Sequence, residues 1–297
     1  MKKTVRLLAL VLAVMLMAGM MSGFGSDSKT VKMATKPMTE QFILGNMMKE
    51  LIEAKTDLKV ELTEGIGGGT KNIQPAMEKG EFDFYPEYTG TGWNVVLQNT
   101  GRYSEDMFEE LEKGYNELGM TWTGMMGFNN TYTVAVVSEK AEEYKLATMS
   151  DLAKASENLI FGANYDFFER EDGFDMLVDR YGMSFKDTKD MDISLKYEAI
   201  KAREIDVMPA FTTDAQLTTA GVVTLEDDLG IYPSYMCGFV VRQDALEAFP
   251  ELQEVFDLVT DILSDAEMSA LNCKVEADGE DPVDVAHQFL VDKGLIE

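Results

Sequence analysis

Histidine is almost missing from this chain. His287 is the only one among 297 residues, and Cys237 and Cys273 are the only cysteines. With one imidazole and two distant thiols, neither a zinc site nor a Ser-His-Asp triad is expected. A single possible bridge between the cysteines does not make a disulfide scaffold. Basic residues are scarce too, with 26 Lys and Arg against 53 Asp and Glu, a formal net charge of −27. A surface so acidic disfavours nucleic acid and anionic membrane as partners and favours a cationic ligand. Beyond the first 25 residues there is also no long apolar run of the kind that spans a bilayer.

What the chain does have begins at its start. "MKKTVRLLALVLAVMLMAGMMSGFGSDS" reads as an export signal over residues 1–25, with Lys2, Lys3 and Arg6 preceding the apolar run Leu7–Ala18. Its removal takes three basic residues and no acids, leaving 23 basic against 53 acidic side chains and a net charge of −30. The "MSGFGS" context is similar to a bacterial lipoprotein boundary, but Phe24 stands where a lipid-bearing cysteine would be. The expectation is an exported protein, periplasmic or at the cell surface, with no lipid anchor as written.

Strand and helix patterns then alternate. "TVKMA" (Thr30–Ala34), "LKVEL" (Leu58–Leu62) and "FDFY" (Phe82–Tyr85) predict strands, and "TEQFILGNMMKELIEAK" carries an apolar stripe at helical spacing. "NIQPAMEKG" predicts a second helix, so the order is βαβαβ and the sheet open and largely parallel. "EGIGGGTKN" fits no phosphate-binding spacing and reads as a tight loop beyond a strand, close to a ligand crevice. Later strands are predicted at Thr131–Val137, Leu159–Asn164, Ile205–Phe211 and Tyr235–Arg242, and helices at Gly173–Gly182 and Ser194–Arg203. A further helical region after Arg242 is interrupted by Pro250, and His287 falls on a helix near the C-terminus.

One internal similarity stands out. "GEFDFYPEYTGT" (Gly80–Thr91) aligns without gaps to "REIDVMPAFTTD" (Arg203–Asp214), matching Glu81 with Glu204, Asp83 with Asp206, Pro86 with Pro209 and Tyr88 with Phe211. Open sheets bind ligands beyond the carboxyl ends of their strands. Two such strands in two sheets would face Tyr88 and Phe211 across a cleft. Phe42, Phe82, Phe84, Phe161 and Phe239 lie on apolar patterns and read as core, whereas Tyr85 and Trp93 fit either core or pocket wall.

"ATKPMTEQFILGNMM", "KGEFDFYPEYTGT", "FNNTYTVAV", "FFEREDGFDML", "IDVMPAFTTD", "IYPSYMCGFVVR" and "LNCKVEADGEDPVDVAHQFL" occur in this order. In this the chain resembles the substrate-binding proteins of osmoprotectant ABC importers, of the glycine betaine, carnitine, choline and proline-betaine type. The resemblance spans essentially the whole mature chain. It implies an α/β, two-lobed periplasmic-binding-protein-like fold of type II, with two open mixed sheets and a hinge of two crossings. The implied division is residues 26–129 and 236–297 for the first lobe and 130–235 for the second. It also implies a non-enzymatic protein without cofactor or metal, which passes a quaternary ammonium ligand to permease subunits in the membrane.

Carried over by motif, the rings that hold the ligand's head are Tyr88, Tyr132, Phe211 (where the family usually has tyrosine) and Tyr235. A quaternary ammonium has no N–H to donate, so ring faces are its natural partners, each contributing roughly 0.5–2 kcal/mol when desolvated. For a ligand carboxylate the implied partners are Lys36, Thr91 and Arg170, with Gln41 nearby. The planar fork of Arg170 suits a carboxylate, although beside Glu169 and Glu171 it also reads as a surface salt-bridge residue. The alternative within this fold is a pocket rebuilt for another small amine or amino acid. Acid pairs such as Glu169 and Glu171 or Asp227 and Asp228 raise an enzyme reading, but "EREDGFD" is more simply a solvated loop. "EADGEDPVD" lacks the spacing of a calcium loop.

Overall fold

The computed structural model describes residues 30–169, 173–192 and 195–297. The signal reading of residues 1–25 and the reading of Arg170 as a carboxylate partner lie outside the described residues.

Within them the chain builds two five-stranded sheets. The first runs in the order β2-β1-β3-β10-β4, from β1 (Thr30–Ala34), β2 (Lys59–Thr63), β3 (Phe84–Tyr88), β4 (Met120–Thr123) and β10 (Cys237–Arg242). The second runs in the order β7-β6-β8-β5-β9, from β5 (Tyr132–Val137), β6 (Ile160–Asn164), β7 (Asp187–Met191), β8 (Val207–Phe211) and β9 (Val222–Leu225). In each sheet four strands run in one direction and only the fourth in that order, β10 or β5, runs against them, so both sheets are mixed yet largely parallel, as the alternating pattern predicts.

Helices cover both faces of each sheet. The helix Thr39–Lys55 buries Ile43, Leu44, Met47, Met48, Leu51 and Ile52 against β1, β3 and β10, which makes those methionines core filler. The helix Pro282–Asp292 packs beside it, begun by Asp281, whose side chain caps Val283 N, with Pro282 in the first turn. Acids of the "EADGEDPVD" stretch therefore serve the start of a helix. The opposite face of this sheet is an aromatic cluster of Tyr85, Trp93, Tyr103, Tyr115 and Trp122. The second sheet packs Phe161, Phe167, Leu177 and Tyr181 on one face and Tyr197, Ile200 and Ile205 on the other.

The internal similarity is structural. Phe84–Tyr88 and Val207–Phe211 superpose in the alignment residue for residue as β3 and β8. Asp83 Oδ2 accepts Lys32 N at 2.8 Å, and Asp206 Oδ2 accepts Ile160 N at 2.9 Å, so each acid begins its strand by capping the neighbouring one. The preceding turns match as well, with left-handed backbone at Gly80 (φ 76°) and Arg203 (φ 62°). Each strand tolerates a central proline because its parallel neighbour pairs with it at one position only, Met33 with Phe84 and Phe161 with Val207. Pro86 and Pro209 lie beyond those pairs, where a missing N–H costs no ladder bond to the parallel strand.

Two connections join the sheets, between β4 and β5 and between β9 and β10. They run side by side: Asn129 bridges Met236, Asn130 N donates to Tyr235 O at 3.2 Å, and Thr131 Oγ1 donates to Pro233 O at 2.7 Å. No helix among the described residues is long and apolar enough to cross a membrane.

Candidate functional site

A cavity of about 500 Å³ opens where β3, β5, β8 and the segment before β10 meet. Tyr88, Tyr132, Phe211 and Tyr235 all line it, as do Lys36 and Thr91. Sequence-distant rings thus converge on one space.

Each ring has a local reason for its place. Tyr88 is the last residue of β3 and Phe211 the last of β8, so both stand at strand carboxyl ends. Tyr132 begins β5 directly opposite Phe211 in the antiparallel register. Their rings stack, with centroids 4.4 Å apart and planes 28° from parallel. Phe211 remains 37% exposed, enough to present a face to a ligand. Tyr235 is fixed through its backbone, its N–H donating to Asn129 Oδ1 at 2.7 Å. Gly90 explains the glycine in "YTGT": a Cβ there would lie 2.5 Å from Ser234 O and 2.8 Å from the Tyr235 ring. Only a residue without a side chain lets Tyr235 come so close. Of the other rings in that stretch, Phe84, Tyr85 and Trp93 are buried in the core.

The polar end is more uneven. Lys36 is buried, and its Nζ donates to the fully buried Glu87 while lying 4.6 Å from the Tyr88 ring centroid. One face of Tyr88 is therefore already occupied by a cation. Thr70 Oγ1 and Tyr88 N also donate to Glu87. The glycine loop before Thr70 does not line the cavity; it packs behind Lys36, with Gly69 against that side chain. Gln41 does not face the cavity either. Fully buried, it accepts Lys36 N and donates to Tyr88 Oη, both at 3.3 Å, which makes it a support for the ring.

Sequence reading missed Glu40, Asn130, Thr213, Asp214, Asn272 and Glu276, which also line the cavity. Glu40 is 4% exposed in the first turn of the helix Thr39–Lys55. It accepts from Tyr88 Oη, from Asn130 Nδ2 at 3.1 Å, from Asn272 Nδ2 at 3.3 Å and from the Thr213 side chain. Burial pushes its carboxyl above the usual range, and the converging donors oppose that shift by favouring the charged form. Burial and the neighbouring Glu40 push the Tyr88 phenol well up, so Tyr88 keeps its proton and donates it. Asp214, aligned with Thr91 in the repeat, accepts Tyr197 Oη at 2.8 Å and Lys196 Nζ at 3.2 Å. The one signal that could have flagged Glu40 is its place in the first turn of a long helix, just after a strand end that opens on the cleft.

The profile of a family described as "Substrate binding domain of ABC-type glycine betaine transport system" matches residues 29–292. The chain belongs to that family. Members are the substrate-binding parts of importers and not enzymes, and the family is extracytoplasmic. The chain is 41% identical over 270 residues to "Ergothioneine transport permease/ergothioneine binding protein EgtU" of Helicobacter pylori (strain G27), covering 91% of this chain and 48% of that protein. It thus spans about half the length of that relative. To "Carnitine transport binding protein OpuCC" of Listeria monocytogenes it is 32% identical, covering 93% of this chain and 91% of the relative. The solved structure "Crystal structure of glycine betaine/carnitine/choline ABC transporter" superposes with a TM-score of 0.84 at 28% identity, over 90% of this chain and all of the other. The expected two-lobed binding-protein fold is therefore the fold observed.

Among the described residues no group of His, Cys, Asp and Glu could hold a metal ion. Cys237 and Cys273 are both buried and unpaired, and burial pushes the Cys237 thiol well up.

Proposed function

We propose that the chain captures a small trimethylammonium compound, of the glycine betaine, carnitine or choline type, in a cage of Tyr88, Tyr132, Phe211 and Tyr235. The observation that carries this reading is the convergence of the four rings on one cavity whose wall also holds Glu40, Asp214 and Glu276. Rings and nearby carboxylates suit a cation that cannot donate a hydrogen bond. Thr91, Lys36 and Arg170 are the proposed partners of a ligand carboxylate, although Lys36 must share its charge with Glu87.

On this reading the lobes comprise residues 26–129 with 236–297 and residues 130–235. The paired connections at Asn129 and Met236 form the hinge on which they close. The exported protein delivers its ligand to permease subunits at the membrane, and residues 1–25 serve as its signal.

A second reading has its own support. The relative with 41% identity is named for ergothioneine, which is itself a trimethylammonium betaine and presents the same head group on a larger body. Calorimetric titration with glycine betaine, carnitine, choline and ergothioneine tests both readings. Saturable binding of one of the first three supports the osmoprotectant reading, and binding of ergothioneine alone supports the second. Binding of none overturns the cage.

A further inference from the structure

A buried carboxylate stands in the cavity wall beside a ring proposed to hold the ligand. Glu40 takes a hydrogen bond from the hydroxyl of Tyr88 and gathers three more side chains around it: Asn130 from a connection between the sheets, Thr213 from the loop after β8, and Asn272 from the helix Asp265–Glu276. Asn272 in turn donates to Thr213 O at 3.0 Å. Parts of the molecule far apart in sequence are therefore tied to one acid at the cavity wall.

We infer that Glu40 sets the preference for a cation over a neutral molecule of the same shape, by placing a negative charge beside Tyr88 at the cavity wall. This inference rests on the cage reading above. The Glu40 carboxylate is acceptor-only when ionised, and each of its partners offers a donor. A phenol that donates to a carboxylate becomes richer in electrons, which strengthens the negative face of its ring. The field of the carboxylate also reaches a bound cation directly through a poorly solvated wall. Lys36 makes such a charge necessary, because its ammonium already lies over Tyr88 and would repel a second cation. Glu87, which does not line the cavity, balances Lys36, and Glu40 supplies a negative charge on the cavity side. Glu40 is thus a positioning residue that acts through Tyr88.

The test compares ligands that differ only in charge. Choline and 3,3-dimethylbutan-1-ol share one shape, as do glycine betaine and 3,3-dimethylbutanoate, with carbon replacing the quaternary nitrogen in the second of each pair. All four are titrated calorimetrically against the wild-type chain, Glu40→Gln and Tyr88→Phe. Glu40→Gln is expected to weaken choline and glycine betaine about tenfold while changing the carbon analogues less than about twofold. The effect of Glu40→Gln should shrink when it is combined with Tyr88→Phe, because the hydroxyl that couples them is gone. Equal losses for cation and analogue would make Glu40 a purely structural residue and overturn the inference. Wild-type protein that binds a cation no better than its analogue would instead overturn the cage reading and the inference with it. Should Glu40→Gln not fold, Asn130→Ala and Asn272→Ala each remove one donor from Glu40. They are expected to shift the cation-to-analogue ratio in the same direction, and an unchanged ratio in both would overturn the inference.

Discussion

The two sheets share a strand order, a capping aspartate at the start of the central strand, a proline at its middle and an aromatic at its end, yet they furnish their strand ends differently. Behind Tyr88 the first half buries charge, with Glu87 fully buried between Lys36 and Thr70. At the matching position the second half has Ala210, and its ring wall is the stacked pair Tyr132 and Phe211. Its lysine, Lys196, meets Asp214 at 3.2 Å in a less buried setting. One scaffold thus yields a wall backed by tightly held buried charge and a ring-faced wall whose charged pair is more exposed. The shared features set the backbone, and the differing ones determine what each wall can offer a ligand.

The largest effect should come from the buried pair. Lys36→Met leaves the Glu87 carboxylate without its cation and should destabilise the protein by about 3–5 kcal/mol in urea unfolding. Lys196→Met, in the corresponding half, should cost only about 1 kcal/mol, because its partner is partly solvated. Equal losses would erase the proposed contrast between the walls.

Next comes Arg170, which in the sequence follows the helix Tyr165–Glu169. If it grips a ligand carboxylate, Arg170→Ala should weaken glycine betaine by roughly 2–5 kcal/mol and leave choline nearly unchanged, measured on protein with a preserved melting temperature. Equal losses for both ligands would return Arg170 to a surface salt bridge.

The shared features give a smaller and more symmetric effect. Asp83→Ala and Asp206→Ala each remove an acceptor from a strand N–H and should cost about 1–3 kcal/mol apiece. A loss confined to one of them would show that the repeat is similar in outline only.

Phe211 gives the smallest effect. Phe211→Tyr should change ligand affinity by less than about 1 kcal/mol because the ring face persists, whereas Phe211→Leu should cost more. Leucine binding as well as phenylalanine would reduce position 211 to packing.

Much of this was legible in the residues. The helix Thr39–Lys55 and the strand Thr30–Ala34 fall where their apolar spacing puts them, and Pro250 separates two helices as expected. The strand at Phe82–Tyr85 lies instead at Phe84–Tyr88, because Pro86 sits past the parallel ladder and does not end the strand. β4, β7 and β9 went unread for a common reason. All three are sheet edges, where one side needs no partner and sequences such as "DTKDM" need no apolar alternation. The ring residues were accessible through a motif. The acid beside them was not, since a place in a helix's first turn does not by itself tell a buried carboxylate from a solvated one, and only the fold brings Asn130, Thr213 and Asn272 to Glu40.

A crystal structure of the chain with the tightest-binding member of the ligand panel tests the central claim most directly. The account predicts the trimethylammonium nitrogen between the two sheets, within about 6 Å of the ring centroids of Tyr88, Tyr132, Phe211 and Tyr235. A ligand seated elsewhere, or one whose nitrogen faces a carboxylate with no ring beside it, would contradict the account.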